Sequence, residues 1–135
     1  MIKKLVNKIP EFCMTHWLLR IPLIVVFLQQ GLSKWPIDVN DSPVELTLLV
    51  WTFVVLGEIG GAIGLIVGGV LDYIKKLKEF GDIITRFSGI TMACITTGVI
   101  WTGEPESFTD VLLYDNLHVL LWVGCMYFAL RGNRV

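Results

Sequence analysis

The chain has 135 residues, a length that predicts a single domain over residues 1–135, and its formal net charge at pH 7 is −1. Hydrophobic residues make up 54% of the sequence and the mean hydropathy is +0.69, which is well above an ordinary soluble domain and predicts a lipid bilayer as partner. The 11 Lys and Arg residues are too few and too scattered for a nucleic-acid interface. The 3 cysteines are far apart and form no C-x-x-C pair, so neither a disulfide framework nor a metal site is expected.

Four long apolar runs follow one another along the chain, and each predicts a membrane-spanning helix. The predicted helices cover approximately residues 13–34, 43–78, 83–102 and 110–131. The first run carries Arg20 and lacks a small-x-small cleavage site, so we expect a retained helix and not a signal peptide. Ser42, Pro43 and Glu45 have the pattern of a capping box at the start of the second helix. The expected fold is therefore an all-α integral membrane four-helix bundle.

The distribution of Lys and Arg predicts how the bundle is oriented. Most of these residues lie in the N-terminal segment, in the connection between the second and third helices, and at the C-terminus. The other two connections carry Lys34 among seven acidic residues: Asp38, Asp41, Glu45, Glu104, Glu106, Asp110 and Asp115. Because positive charge collects on the cytoplasmic side, both termini are expected in the cytoplasm.

The second helix places one carboxylate, Glu58, inside an apolar run that has no other charge between Glu45 and Asp72. A carboxylate at the middle of a bilayer costs about 2.5 kcal/mol or more, so we expect Glu58 to face protein or water. A functional role and a structural ion pair both remain open for this residue. Four glycines form a stripe that adjoins Glu58 and is expected to pack closely against another helix: Gly57, Gly61, Gly64 and Gly68.

Helical rise and periodicity predict that polar groups from all four helices meet in one layer. Counted from the cytoplasmic ends of their helices, Glu58 and His118 each lie about 20 Å up, with Thr97 at a similar height. Gln30 lies slightly higher, and Arg20, at about 10 Å, can extend upward. Snorkelling of Arg20 to the surface and a core role for His118 remain open. The predicted site has Glu58, His118 and Arg20 as candidate catalytic residues and Gln30, Lys34 and Thr97 as candidate substrate-binding residues.

Two kinds of cofactor site are not expected. His16 lies near the cytoplasmic edge and His118 in the opposite half, more than about 10 Å apart along the membrane normal, so they cannot ligate one haem. The glycines lie inside an apolar span and are not followed by Lys and Ser or Thr, so they do not form a phosphate-binding loop.

Two segments resemble a known family. The first is Leu19-Arg20 with the helix end Phe27-Leu28-Gln29-Gln30-Gly31-Leu32-Ser33-Lys34, and the second is Gly57-Glu58-Ile59-Gly60-Gly61. These segments, with four short helices and cytoplasmic termini, resemble the DoxX family. Gln30 stands where the family commonly has a histidine. The positions carried over by the resemblance are Arg20, Gly31, Lys34, Glu58, Gly60 and Gly61.

The resemblance implies a small multi-pass protein of the bacterial inner membrane that works with other membrane or periplasmic subunits in redox processes. Relatives in the family include the small quinone-reducing subunit of a thiosulfate:quinone oxidoreductase. We therefore expect a membrane subunit of a redox-linked complex, with quinone as the candidate ligand of the polar site. Two other functions remain open, namely a non-catalytic accessory or assembly subunit and a small proton-coupled transporter.

Overall fold

The computed structural model describes residues 1–8, 16–35, 47–102 and 107–134. These segments form six helices: α1 (Ile2–Val6), α2 (His16–Ser33), α3 (Leu48–Leu71), α4 (Lys78–Thr102), α5 (Phe108–Tyr114) and α6 (Asn116–Arg131). The described segments contain no strand, which confirms the all-α prediction for this part of the chain. Helices α3 and α4 are long and apolar enough to cross a membrane.

The connection between α3 and α4 differs from the sequence prediction. Helix α3 ends at Leu71 and does not run on to residue 78, and α4 begins at Lys78 and not at residue 83. Short-range hydrogen bonds replace the helical pattern here, since the N–H groups of Tyr73 and Ile74 donate to carbonyls three residues earlier. These turns bring α4 back alongside α3.

The predicted fourth helix is divided at Asp115, where the backbone leaves the helical region with φ −115° and ψ 48°. The predicted helix starts at residues 13 and 43, including the capping box, lie outside the described residues. In the described part, Thr47 caps α3, because its hydroxyl accepts a hydrogen bond from the N–H of Val50.

The four long helices pack in chain order around one apolar core. Helix α2 packs on α3, α3 on α4 and α4 on α6, while α6 also meets α2. The buried core residues are Leu23, Ile24, Phe27, Ala62, Leu65, Met92, Ala93, Cys125 and Phe128.

The contact between α3 and α4 runs along the glycine stripe. Side chains of α4 lie against the positions of Gly57, Gly61, Gly64 and Gly68. At Gly68 the contact reaches the backbone, since a Cβ there would lie 2.9 Å from the carbonyl oxygen of Gly81. The two helices can approach this closely only where a side chain is missing.

Large apolar side chains cover the outer surface of the bundle. Leu18, Phe53, Phe87 and Leu120, one from each long helix, are between 66% and 73% exposed. By contrast, Arg20 and Glu58 are buried. These two ionisable side chains therefore lie inside the bundle, and large apolar side chains cover its outer surface.

Candidate functional site

An ion pair between Lys34 and Glu58 lies at one end of the bundle. The Lys34 ammonium, just past the end of α2, donates to both carboxylate oxygens of Glu58 at 2.8 and 2.7 Å. The side chains are 19% and 5% exposed, respectively. A carboxylate buried this deeply requires a partner of opposite charge, and Lys34 provides it. The two residues appear separately in the sequence prediction, and the structure brings them together.

The close approach of α2 and α3 allows this pair to form. A Cβ at Gly31, one turn before Lys34, would lie 2.5 Å from the Cγ1 of Ile59 and 3.4 Å from the Cβ of Glu58. Glycine at this position therefore lets α2 approach α3 beside the carboxylate. The buried indole of Trp51 completes the surroundings, because its ring centroid lies 5.6 Å from the Lys34 Nζ.

A cavity of about 750 Å³ opens beside this ion pair and is lined by all four long helices. Its volume falls within the range of small-molecule sites, which are mostly apolar with a few placed polar groups. The apolar walls include Val26, Phe27, Val54, Val99 and Leu121. The charged, amide, imidazole and hydroxyl side chains in the lining are Gln30, Lys34, Glu58, Thr91, Thr96, Thr102 and His118.

The cavity reaches the outer surface between α3 and α4. Phe53 and Ile90 line it while being 66% and 50% exposed, and the Cys94 thiol is also exposed. Gly98 keeps this part of the wall open, because no described atom lies within 4 Å of the point where its Cβ would be.

His118 is held by a hydrogen bond to Asp115 three residues earlier. The imidazole Nδ1 lies 2.5 Å from the Asp115 Oδ1, and both side chains are 36% exposed. An ionised carboxylate only accepts hydrogen bonds, so Nδ1 carries the donated proton. The nitrogen that remains for a ligand in the cavity is Nε2. This contact was not predicted from the sequence, although the i,i+3 spacing of Asp115 and His118 could have indicated it.

Arg20 lies away from the cavity, at the opposite end of the bundle. Its side chain is fully buried, and Nη1 donates to the carbonyl of Leu65 at 2.6 Å and to the hydroxyl of Thr85 at 3.3 Å. Its Nη2 donates to the Asn133 Oδ1 at 2.7 Å. Leu65 is two helical turns from Glu58, about 10 Å along α3, and the core lies between them. The structure therefore does not bring Arg20 together with Glu58 and His118.

Asn133 connects three helices at the Arg20 end. Its Nδ2 donates to the carbonyl of Gly68 at 2.9 Å, and its backbone N–H donates to the Asp82 carboxylate at 2.8 Å. Gly132 turns the chain inward with φ 59°, a conformation that favours glycine. Asn133 was not predicted from the sequence, because its partners are up to 113 residues away and no local pattern marks them.

Thr97 lies beside the cavity and has another partner. Its hydroxyl accepts a hydrogen bond from the Trp122 indole N–H at 3.0 Å and donates to the carbonyl of Ala93 at 2.8 Å. Thr91, the neighbouring Thr96 and Thr102 are the α4 threonines that line the cavity. A helix turns by about 100° per residue, so a shift of one position changes the face.

Within the described segments, no group of three or more His, Cys, Asp or Glu side chains is placed to hold a metal ion. Cys94 and Cys125 are free thiols, the first exposed and the second buried. Comparison of the chain with protein-family models, with curated proteins and with solved structures finds no match.

Proposed function

We propose that this protein is a four-helix membrane bundle that binds a quinone head group beside Lys34 and Glu58, as the membrane subunit of a redox-linked complex. The observation that carries the proposal is the cavity itself. It combines apolar walls, an opening on the outer surface between α3 and α4, and a few hydrogen-bonding groups at one end. A lipid-soluble molecule with a small polar head has the matching distribution of polarity.

The polarity of the bundle supports a bilayer environment. Four helices expose large apolar side chains, while Arg20 and Glu58 are buried between them. In lipid, ionisable side chains face the bundle interior because exposure to acyl chains is costly. The end formed by the α3–α4 connection and the C-terminus exposes Lys75, Lys76 and Arg134, which favours the cytoplasmic side for this end. The resemblance to the DoxX family adds a bacterial inner membrane as the location.

The hydrogen-bonding groups suit a neutral head group better than an anionic one. The positive charge of Lys34 is already balanced by Glu58, so a phosphate would meet no net positive charge from this pair. An ammonium group has three N–H donors, of which Glu58 takes two and a ligand carbonyl can take the third. Gln30 adds a donor and an acceptor, and the His118 Nε2 can accept from a hydroxyl. The site therefore matches both the carbonyl and the hydroxyl form of a quinone ring.

Protection of Cys94 from alkylation tests this function directly. In a variant with Cys13→Ser, Cys94 is the reactive thiol, because Cys125 is only 1% exposed. We expect decylubiquinone or a short-chain menaquinone to slow the reaction of Cys94 with N-ethylmaleimide in a saturable way. Unchanged alkylation at saturating quinone would contradict binding in this cavity.

Glu58→Gln tests the polar end of the site. Removing the charge leaves Lys34 unbalanced and weakens its hydrogen bonds, so we expect at least a tenfold loss of quinone affinity, which corresponds to about 1.4 kcal/mol. The matched control is Glu79→Gln, an exposed carboxylate at the other end of the bundle, which should leave the affinity unchanged. Equal affinities in the two variants would remove Glu58 from the binding site.

Purification in mild detergent distinguishes the three functions expected from the sequence. A subunit of a redox-linked complex should copurify with a protein that carries a redox centre, and quinone-dependent turnover of the complex should fall in Glu58→Gln. A stoichiometric partner whose turnover is unaffected by Glu58→Gln would indicate an accessory or assembly role. Proton-coupled solute uptake by the protein alone in liposomes would indicate a transporter.

A further inference from the structure

We propose that His118 and Asp115 form the proton port of the cavity. In this role, His118 exchanges protons between a bound head group and the water at the face opposite Lys76, and Asp115 is a positioning residue that fixes the His118 tautomer. The inference rests on the proposed function, because it takes the cavity as a ligand site. It adds the side of the molecule from which a bound ligand receives its protons.

The position of Asp115 supports this assignment. Aspartate before the first turn of a helix ordinarily accepts a hydrogen bond from a backbone N–H of that turn, which stabilises the helix by about 1 kcal/mol. Asp115 stands at this position before α6, but its side chain makes no such bond to the described backbone. The carboxylate is instead directed to the Nδ1 of His118. The Asp115 side chain therefore orients the imidazole of His118 instead of capping α6.

The bundle is closed on the other side of the cavity. Leu65, Met92 and Phe128 are fully buried and fill the interior between the Glu58 level and Arg20. Below them, the hydrogen bonds of Arg20 and Asn133 tie the helices together. His118 lines the cavity, and the side chains of His118 and Asp115 are both 36% exposed. The route for water is therefore on the His118 side.

Among the described side chains that line the cavity, His118 carries the imidazole, whose nitrogens can accept and release a proton in turn. Lys34 from α2 and Glu58 from α3 are bound to each other. Helix α4 contributes Cys94 and the neutral hydroxyls of Thr91, Thr96 and Thr102. When the Nε2 of His118 accepts a proton, the ring becomes an imidazolium whose Nδ1–H stays bonded to Asp115. Release of the same proton to water returns the ring to the neutral form with Nδ1–H.

The tautomer of His118 tests the role of Asp115. The chain has 2 histidines, so 15N-histidine labelling yields two sets of ring signals in nanodiscs. We expect His118 to carry its proton on Nδ1 when neutral, and Asp115→Ala to move it toward the Nε2–H form that an unconstrained imidazole prefers. The control Asp110→Ala removes a nearby carboxylate on α5 and should leave the tautomer unchanged. A His118 tautomer that is the same with and without Asp115 would overturn the positioning role.

Thiol labelling tests the side of access. His118→Cys, with Cys13 and Cys94 replaced by Ala and the buried Cys125 retained, is exposed to a membrane-impermeant methanethiosulfonate in right-side-out and inverted vesicles. Lys76→Cys in the same background marks the opposite face. We expect the two variants to be labelled from opposite sides. Labelling of His118→Cys from the Lys76 face, or from neither face, would overturn the proposal. Both tests omit quinone, so their failure is distinguishable from failure of quinone binding.

Discussion

At the scale of single residues, Arg20 shows how the protein holds a buried cation with no direct carboxylate partner among the described residues. Neutral oxygens accept its hydrogen bonds, among them the Oδ1 of Asn133 and the hydroxyl of Thr85. The rings of Trp17 and Phe128 lie 5.3 and 4.7 Å from its guanidinium carbon. A buried charge is costly unless it is solvated by the protein, so each acceptor here matters for stability.

We therefore expect Asn133→Ala to destabilise the protein. The change removes the acceptor for the Arg20 Nη2 and for the Thr85 hydroxyl and leaves buried donors unsatisfied, which costs about 1–3 kcal/mol. Unfolding in detergent, followed by tryptophan fluorescence, measures the difference. Arg134→Ala, at the exposed next position, is the control and should lie within about 0.5 kcal/mol of the native protein. Similar losses in both variants would indicate a general effect of the C-terminus.

Residue faces were predictable from the sequence, and residue partners were not. Helical periodicity assigns Arg20, Gly31 and Lys34 to one face of the first helix, and the structure buries the first two and half-buries the third. The period of one helix contains no information about which residue of another helix lies opposite. The pairing of Lys34 with Glu58, and the return of Asn133 to Arg20, depend on how helices distant in sequence are packed.

At the scale of helices, Gly89 marks the closest approach of α4 and α6. A Cβ at this position would lie 2.6 Å from the backbone nitrogen of Ala129 and 2.7 Å from the carbonyl oxygen of Cys125. A flexible side chain could move aside, but the backbone of a packed helix cannot. The α4–α6 contact, which also carries the lower wall of the cavity, therefore depends on this glycine.

Gly89→Ala should destabilise the bundle by forcing α4 and α6 apart, at a cost of about 1–3 kcal/mol. Gly60→Ala is the matched control, because no described atom lies within 4 Å of the position of its Cβ. The control should be neutral or stabilising by up to about 1 kcal/mol, since alanine favours the helix over glycine. Thermal unfolding of the two variants in the same detergent measures this difference in stability. Equal melting temperatures would contradict the role of Gly89 in the α4–α6 contact.

The apolar runs predicted the four long helices, but the ends of these helices were less predictable. Lys75, Lys76 and Lys78 carry no glycine or proline signal, and their pattern is compatible with a continuing helix. The chain turns there because α4 packs back on α3, which is a tertiary effect. The break at Asp115 likewise lacks a glycine or proline, and it coincides with the contact between Asp115 and His118.

At the scale of the whole molecule, two polar clusters lie at opposite ends of one apolar core. The cluster around Arg20 connects α2, α3, α4 and the C-terminus, and the cluster around Glu58 borders the cavity. In the first cluster, Nη1 and Nη2 of Arg20 donate hydrogen bonds within the protein, and its Nε has no partner among the described residues. In the second, ligand-accessible groups remain beside an open space. This difference is the basis of the proposal that the Arg20 cluster stabilises the bundle and the Glu58 cluster binds a ligand.

Replacement of both Lys34 and Glu58 tests whether the ion pair is needed for ligand binding independently of its effect on the stability of the bundle. Lys34→Met or Glu58→Met alone leaves one buried charge without its partner, a change that costs about 3–5 kcal/mol for buried pairs. The double replacement removes both charges and keeps the volume, so we expect its free energy of unfolding to return to within about 1 kcal/mol of the native protein.

In the same double variant, quinone should no longer protect Cys94 from alkylation. The apolar walls of the cavity would remain, but the charged groups that hydrogen-bond the head group would be gone. Unfolding in detergent and the alkylation rate of Cys94 give the two readouts on one sample. Retained protection would show that the apolar walls alone bind the ligand, and instability equal to that of the single variants would show that the two charges do not stabilise each other. Loss of binding in a stable bundle is the outcome that only a ligand site at this ion pair predicts.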